Sequence, residues 1–321
     1  MPEPIVHEIE PGVFQIDQHF QGARGVIASY LLADEGGGDL ALIEAGPSST
    51  TPTLLAGIRA AGFAPERITK LLVTHIHLDH AGAAGALLER HMPEATLYVH
   101  PFGAPHLIDP SKLIASATRI YGDAMERLWG EIVPVPGDRL VVLDDGQEIR
   151  AGGRTLRAIE TPGHAAHHHA FHDPARGVVF TGDVAAVRLG GSTWVCPPTP
   201  PPELDLEKWM QSVARLRALR PSRLALTHFG AYGDVDRHLD RLIARLHEWS
   251  GRVEAQLEAS TDAAEIAASL ERRGSAEIVE AGGTEELAAF YALATPYRMS
   301  VDGFARYFRK RAERRAAAAA G

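Results

Sequence analysis

The sequence predicts an α/β protein followed by a helical extension, and three observations carry that expectation. Strands and helices alternate through the first hundred residues. Four short polar clusters, two of them rich in histidine, each sit at the end of a segment that reads as a strand. Beyond about residue 250 strand signals thin out and helical periodicity takes over.

Segments 13–19 and 26–33 read as two strands joined by the loop "FQGARG", and "DLALIEAG" as a third running into the turn "GPSS". Thr53 to Ala61 reads as a helix with Leu54, Leu55 and Ile58 on one face. "ITKLLVTH" is a buried-type strand, "AGAAGALLERH" a helix opening behind it, and "ATLYVHP" another strand. Residues 101–131 break the rhythm and read as a mostly helical insertion carrying Tyr121 and Trp129. "RLVVL", "QEIRA" and "TLRAIE" read as hairpin strands, and "VVFTGD" as a strand ending on a polar pair. Asp205 is expected to cap a helix that buries Trp209, Val213 and Leu216. "RLALTHFG" is the last strand, an amphipathic helix covers 236–249, and helices fill the remainder. The expected organisation is one domain over 1–250 and a helical extension over 251–321.

Composition narrows the function. The net charge of -9 offers no basic field for nucleic acid. The run Arg306, Arg309, Lys310, Arg311, Arg314 and Arg315 reads as a solvated helix face. No stretch approaches the roughly 18 consecutive apolar residues of a membrane helix. The segment "MPEPIVHEIEPGVF" shows no export signal, and the single Cys196 excludes an internal disulfide, so a cytoplasmic protein is expected.

The clusters are "THIHLDH" (Thr74 to His80), "TPGHAAHH" (Thr161 to His168), "TGD" (Thr181 to Asp183) and "THFG" (Thr227 to Gly230). A strand delivers its last side chain with little freedom, so strands ending together can converge donors on one point. Neutral imidazoles and carboxylates are the donor set for zinc, manganese or iron. His75 and His77 share one parity of an extended segment, which Asp79 continues and His80 leaves. If the chain turns into the helix at His80, two groups of donors can face two ions: His75, His77 and His164 for one, Asp79, His80 and His228 for the other, with Asp183 as the natural bridge.

The ordered set HxHxDH, "TPGH", "TGD" and "THFG" resembles the metallo-β-lactamase-fold hydrolase superfamily of the dinuclear type, over roughly residues 13–250. The resemblance implies a four-layer αββα sandwich with metals at one edge. It also implies two divalent ions, zinc first and iron or manganese next. Hydroxide supplied there would attack an ester, thioester or lactone carbonyl of a small substrate, as in glyoxalase II-like or lactonase-like enzymes. His75, His77, Asp79, His80, His164, Asp183 and His228 would then be metal ligands and catalytic residues together, with Asp79 also orienting the nucleophile. Rival readings on the same fold are a mononuclear iron persulfide dioxygenase and a phosphodiesterase or nuclease. One departure is Glu44, where the superfamily usually has Asp; the insertion and the C-terminal helices are others.

Further candidates surround this set. His168 matches a histidine often found near the site and off the metal, and His172 is expected at the surface. His19, Phe20 and Arg24 lie in a loop that overhangs the metals in this fold, so His19 and Phe20 are substrate candidates. Trp194 is a third, in a proline-stiffened loop with Cys196, which is expected to be inert. Phe290, Tyr291, Phe304, Tyr307 and Phe308 must be buried on the sandwich or on a second copy, which makes a homodimer an expectation.

Overall fold

The computed structural model describes residues 3–320 and divides into two compact units. The first comprises the chain up to Glu160 with His167–Gly182 and Arg220–Gly233; the second comprises Thr161–Ala166, Asp183–Leu219 and the chain from Asp234 onward.

The first unit contains two sheets. One has seven strands in chain order: β1 (Val6–Glu10), β2 (Val13–Asp17), β3 (Ala28–Ala33), β4 (Leu40–Ile43), β5 (Lys70–Leu72), β6 (Thr96–Val99) and β7 (Leu140–Val142). Its first four strands pair antiparallel and β4 to β7 run parallel. The other sheet is built from β8 (Glu148–Ala151), β9 (Arg154–Glu160), β10 (His169–Asp173), β11 (Val178–Gly182), β12 (Arg223–Leu226) and β13 (Gly230–Tyr232), with only β11 and β12 parallel. Val13, Tyr30, Leu32 and Ile43 from one sheet meet Leu156, Phe171, Phe180 and Ala225 from the other in a shared apolar core.

A second core covers the opposite face of the larger sheet. Helix α1 (Thr51–Ala60) opens with Pro52 in its first turn, where the missing N–H costs nothing, and buries Leu54, Leu55 and Ile58. Gly57 allows the close approach of α1 to β2, since a Cβ there would stand 2.3 Å from Ile16. Helices α2 (Leu78–Ala81) and α3 (Ala84–Arg90) follow the histidine cluster. The insertion is helical as expected, with α4 (Ala104–Ile108), α5 (Ser111–Tyr121) and α6 (Met125–Trp129).

The second unit is helical: α7 (Leu206–Ala218), α8 (Val235–Glu258), α9 (Ala263–Glu280), α10 (Glu285–Ala294) and α11 (Tyr297–Ala320). Asp205 caps α7 by accepting from the Lys208 amide at 3.2 Å, and Trp209, Val213 and Leu216 are buried, as the sequence predicts. Helix α8 runs through residue 250, so the boundary expected there falls inside a helix. Tyr291, Phe304 and Tyr307 are buried, and Phe290 and Phe308 partly so, where α8, α9, α10 and α11 pack on one another.

The expected fold class, two sheets with helices and a helical C-terminal part, is the one observed. Some details differ. β7 joins the larger sheet beside β6, so the turn to β8 crosses between sheets and is not a hairpin. β10 is an interior strand between β9 and β11, which leaves His172 only 7% exposed and corrects its expected surface position. No helix among the described residues is long and apolar enough to cross a membrane.

His238 on α8 gives the second unit a pH dependence. It is fully buried, and its Nε2 donates to the Ala185 carbonyl at 2.6 Å. Burial above all pushes its pKa down from 6.5 to about 4. As pH falls below 6.5 the unfolded chain takes a proton there while the folded chain stays neutral until about 4. Its contribution is therefore complete above pH 6.5 and is lost between 6.5 and 4, on the order of 3 kcal/mol. Urea unfolding at pH 7.5 and pH 5 should show His238→Gln losing less stability on acidification than the wild type. Equal losses would contradict the assignment.

Candidate metal centre

The C-terminal ends of β4, β5 and β12 meet at one carboxylate. Glu44 follows β4 in the left-handed region (φ 69°), is fully buried, and its amide donates to Leu72 O at 2.8 Å. Glu44 Oε1 accepts from Thr74 Oγ1 at 2.6 Å, His80 Nδ1 at 3.0 Å and Thr227 Oγ1 at 3.1 Å, and Oε2 accepts from the Thr74 amide at 3.2 Å. Sequence reasoning marked Glu44 only as a departure; its signal was an acid ending one strand where neighbouring strands end in Thr-His.

These contacts orient the imidazoles. His80 Nδ1 is held by Glu44, which turns Nε2 toward Asp79 Oδ2, 3.7 Å away. His228 Nδ1 donates to Val26 O at 2.8 Å, and its Nε2 stands 3.3 Å from the same oxygen of Asp79. Thr74 Oγ1 gives its proton to Glu44 and so accepts from His75 Nδ1 at 3.1 Å; His75 Nε2 then faces His77 Nδ1 at 3.0 Å. One change from the extended reading is that α2 begins at Leu78, so a helical turn and not strand parity aims Asp79 and His80.

The donor set fits a divalent ion. Two donors on one tetrahedral ion, at bonds of about 2.0–2.1 Å, stand about 3.3 Å apart. The pairs His75–His77, Asp79–His228 and Asp79–His80 lie at 3.0, 3.3 and 3.7 Å. Ligand atoms of Asp79, His80 and His228 all lie within 4.8 Å of one another. A ring nitrogen held by an oxygen acceptor is the usual support of a metal-binding histidine, because it fixes both tautomer and ring plane.

In the second unit His164 repeats the arrangement. Its Nδ1 donates to Pro198 O at 2.8 Å, and its Nε2 lies 3.3 Å from Asp183 Oδ2. The "PGH" glycine has a packing reason, since a Cβ on Gly163 would meet Trp209 Cα at 2.3 Å. Trp209 in turn lies edge-on to the His164 ring at 5.7 Å and donates to Val184 O.

The remaining candidates are placed as follows. His168 is buried with its ring 4.9 Å from that of His75. His19 is buried in a left-handed conformation (φ 50°, ψ 48°), and its amide donates to Asp17 Oδ1 at 3.0 Å. Phe20 stacks on Trp129 at 5.5 Å, which docks the insertion. Trp194 is 5% exposed, with Tyr291 edge-on at 4.7 Å and Arg245 over its ring at 5.0 Å. Cys196 is buried, and burial pushes its thiol up to about 12, far from a reactive thiolate.

Fold and donor set together define a class. The family model for the metallo-beta-lactamase superfamily matches residues 22–228, and this chain belongs to that superfamily. A metallo-beta-lactamase fold-containing protein of Sulfurisphaera tokodaii is 28% identical over 185 residues, 56% of this chain and 68% of its own length. An atrochrysone carboxyl ACP thioesterase of Aspergillus fumigatus is 32% identical across 48% of this chain and 36% of its own. A hydroxyacylglutathione hydrolase of a Chelativorans species is 32% identical across 45% and 44%. The match thus spans less than half of these two enzymes. The solved structure of a metallo-beta-lactamase family protein from Thermus thermophilus aligns with a TM-score of 0.65 at 20% identity, covering 97% of this chain and 95% of that one, a likeness of fold.

The Glu44 carboxylate should control affinity for the ion. Glu44→Gln puts an amide against the surrounding donors, and divalent metal affinity by chelator competition is expected to fall about 10–100-fold. Unchanged affinity would show that Glu44 does not support the centre.

Proposed function

We propose that the chain is a metal-dependent hydrolase of small acyl esters or thioesters, working with two divalent ions, zinc foremost. The observation that carries this reading is the convergence of Asp79, His80 and His228 within 4.8 Å, with both ring Nδ1 atoms held by oxygen acceptors. His75 and His77 supply a second group, and His164 and Asp183 complete the set, as the ordered superfamily pattern implies. Similarity to a thioesterase and to hydroxyacylglutathione hydrolases supports acyl transfer to water.

When bound, the ions supply hydroxide at neutral pH by lowering the pKa of a water to near 7, and they draw charge from the carbonyl oxygen. The chain's own residues do the rest. Asp79, the least buried carboxylate of the group at 21% side-chain exposure, orients the attacking oxygen by accepting a hydrogen bond from it. Glu44, Val26 O and Pro198 O keep His80, His228 and His164 in the tautomer that presents Nε2. The fixed strand ends keep the donors from reorganising during the reaction, which is the source of the electrostatic advantage.

Assay of the purified protein against acyl thioesters, aryl esters and lactones, before and after chelation, tests this reading. Activity should vanish on chelation and return with zinc; activity indifferent to chelation would contradict it. Asp183→Asn keeps the shape and removes the charge shared by two cations. The variant is expected to fold, hold about one ion, and turn over at least about a hundredfold more slowly. Two ions and a near-normal rate would remove Asp183 from the proposed bridge.

A further inference from the structure

Within the second unit, the turn that carries His164 is held by a single loop, residues 196–205. Pro198 O accepts from His164 Nδ1 at 2.8 Å, and Glu203 Oε2 accepts from the Ala166 amide at 2.9 Å. The Asp205 amide donates to Gly163 O at 2.8 Å. At the start of the loop, Cys196 exchanges two hydrogen bonds of 2.9 Å with Val187. Where this loop lies therefore sets where His164 Nε2 points, which is toward Asp183 Oδ2 at 3.3 Å.

Helix α11 lies against the same loop. Gly303, buried about two turns into the helix, backs directly onto its backbone. A Cβ on Gly303 would stand 1.9 Å from Thr199 O, 2.9 Å from Thr199 C and 3.0 Å from Pro200 C. Those are backbone atoms beside Pro198, so no side-chain rotation could make room. Glycine weakens a helix interior relative to alanine, and the close approach is the reason for it here. Around this contact, Thr199 Oγ1 reaches Ser300 O at 3.5 Å, and Thr295 Oγ1 lies 3.2 Å from Cys196 Sγ. Arg306 Nε and Lys310 Nζ both donate to Pro202 O, at 3.1 and 3.3 Å. Contacts from residues 295–310 thus bracket Pro198 on both sides.

We propose that Gly303 is a positioning residue for the metal centre. It lets α11 rest on Thr199 and Pro200, and so fixes the Pro198 carbonyl that orients His164. The inference rests on the reading of His164 as a metal ligand. A side chain at 303 would press Thr199 off the helix and draw Pro198 O, one peptide away, out of line with Nδ1. The imidazole could then turn, or carry its proton on Nε2, and a protonated ring nitrogen cannot bind a cation. The C-terminal helix acts on the centre through His164 alone.

The test is zinc affinity by chelator competition in a double-mutant cycle of Gly303→Ala with His164→Ala. With His164 present, Gly303→Ala is expected to lower affinity about tenfold. In the His164→Ala background the same change should lower it by less than about twofold, because the side chain it positions is gone. Equal falls in both backgrounds overturn the proposal, since a general loosening of the fold does not depend on His164. No fall in either overturns it as well. If Gly303→Ala does not fold, Arg306→Gln with Lys310→Gln takes its place in the cycle, removing two contacts without adding volume. A fall of about threefold is then expected only where His164 is present, and any other pattern overturns the proposal. If His164→Ala by itself leaves zinc affinity unchanged, His164 is no ligand, and the inference falls with that reading.

Discussion

A single buried carboxylate ties the strand ends on which everything else depends. Glu44 has no solvent access and accepts four hydrogen bonds, from Thr74 twice, from His80 and from Thr227. Desolvating a carboxylate costs several kcal/mol, and hydrogen bonds to a charged group return about 1.5–3 kcal/mol each. The charge is tolerable only where all four donors are in place, so the arrangement selects one geometry of β4, β5 and β12. Ser29 Oγ, donating to Glu44 O at 2.7 Å, adds β3 to the same junction.

The ring planes of the donors are fixed one by one. His80 takes its tautomer from Glu44 and His228 from Val26 O, and within the second unit His164 takes its own from Pro198 O. His75 takes its own from Thr74, whose hydroxyl is already committed to Glu44. Each acceptor is backbone or deeply buried, which leaves little conformational entropy to lose when an ion binds. The sequence sets the donors at strand ends and on the short helix α2, and docks a separate helical insertion through Trp129.

Much of this was legible in the sequence, and the parts that were not have physical causes. The apolar run Leu71–Val73 ahead of "THIHLDH" marks a strand end loaded with donors, and that reading needs no tertiary knowledge. β10 was hidden because its histidines look polar, yet two neighbouring strands bury them. "RLVVL" and "QEIRA" have hairpin spacing, but register cannot tell pairing within one sheet from a crossover between two. Glu44 was visible as an oddity, and its role required knowing which donors surround it. The aromatic residues of α10 and α11 were expected against the sandwich or a second copy; Tyr291, Phe304 and Tyr307 are instead buried where α8, α9, α10 and α11 pack on one another, which only tertiary packing reveals.

The central claim is that these strand ends hold two divalent ions through nitrogen and oxygen donors alone. Metal content of protein purified without added metal, joined to X-ray absorption at the metal edge, tests it most directly. The account predicts about two ions per chain, with nitrogen and oxygen neighbours at about 2.0–2.1 Å and no sulfur. A chain that holds no divalent ion at micromolar free metal, or a single iron, would contradict it.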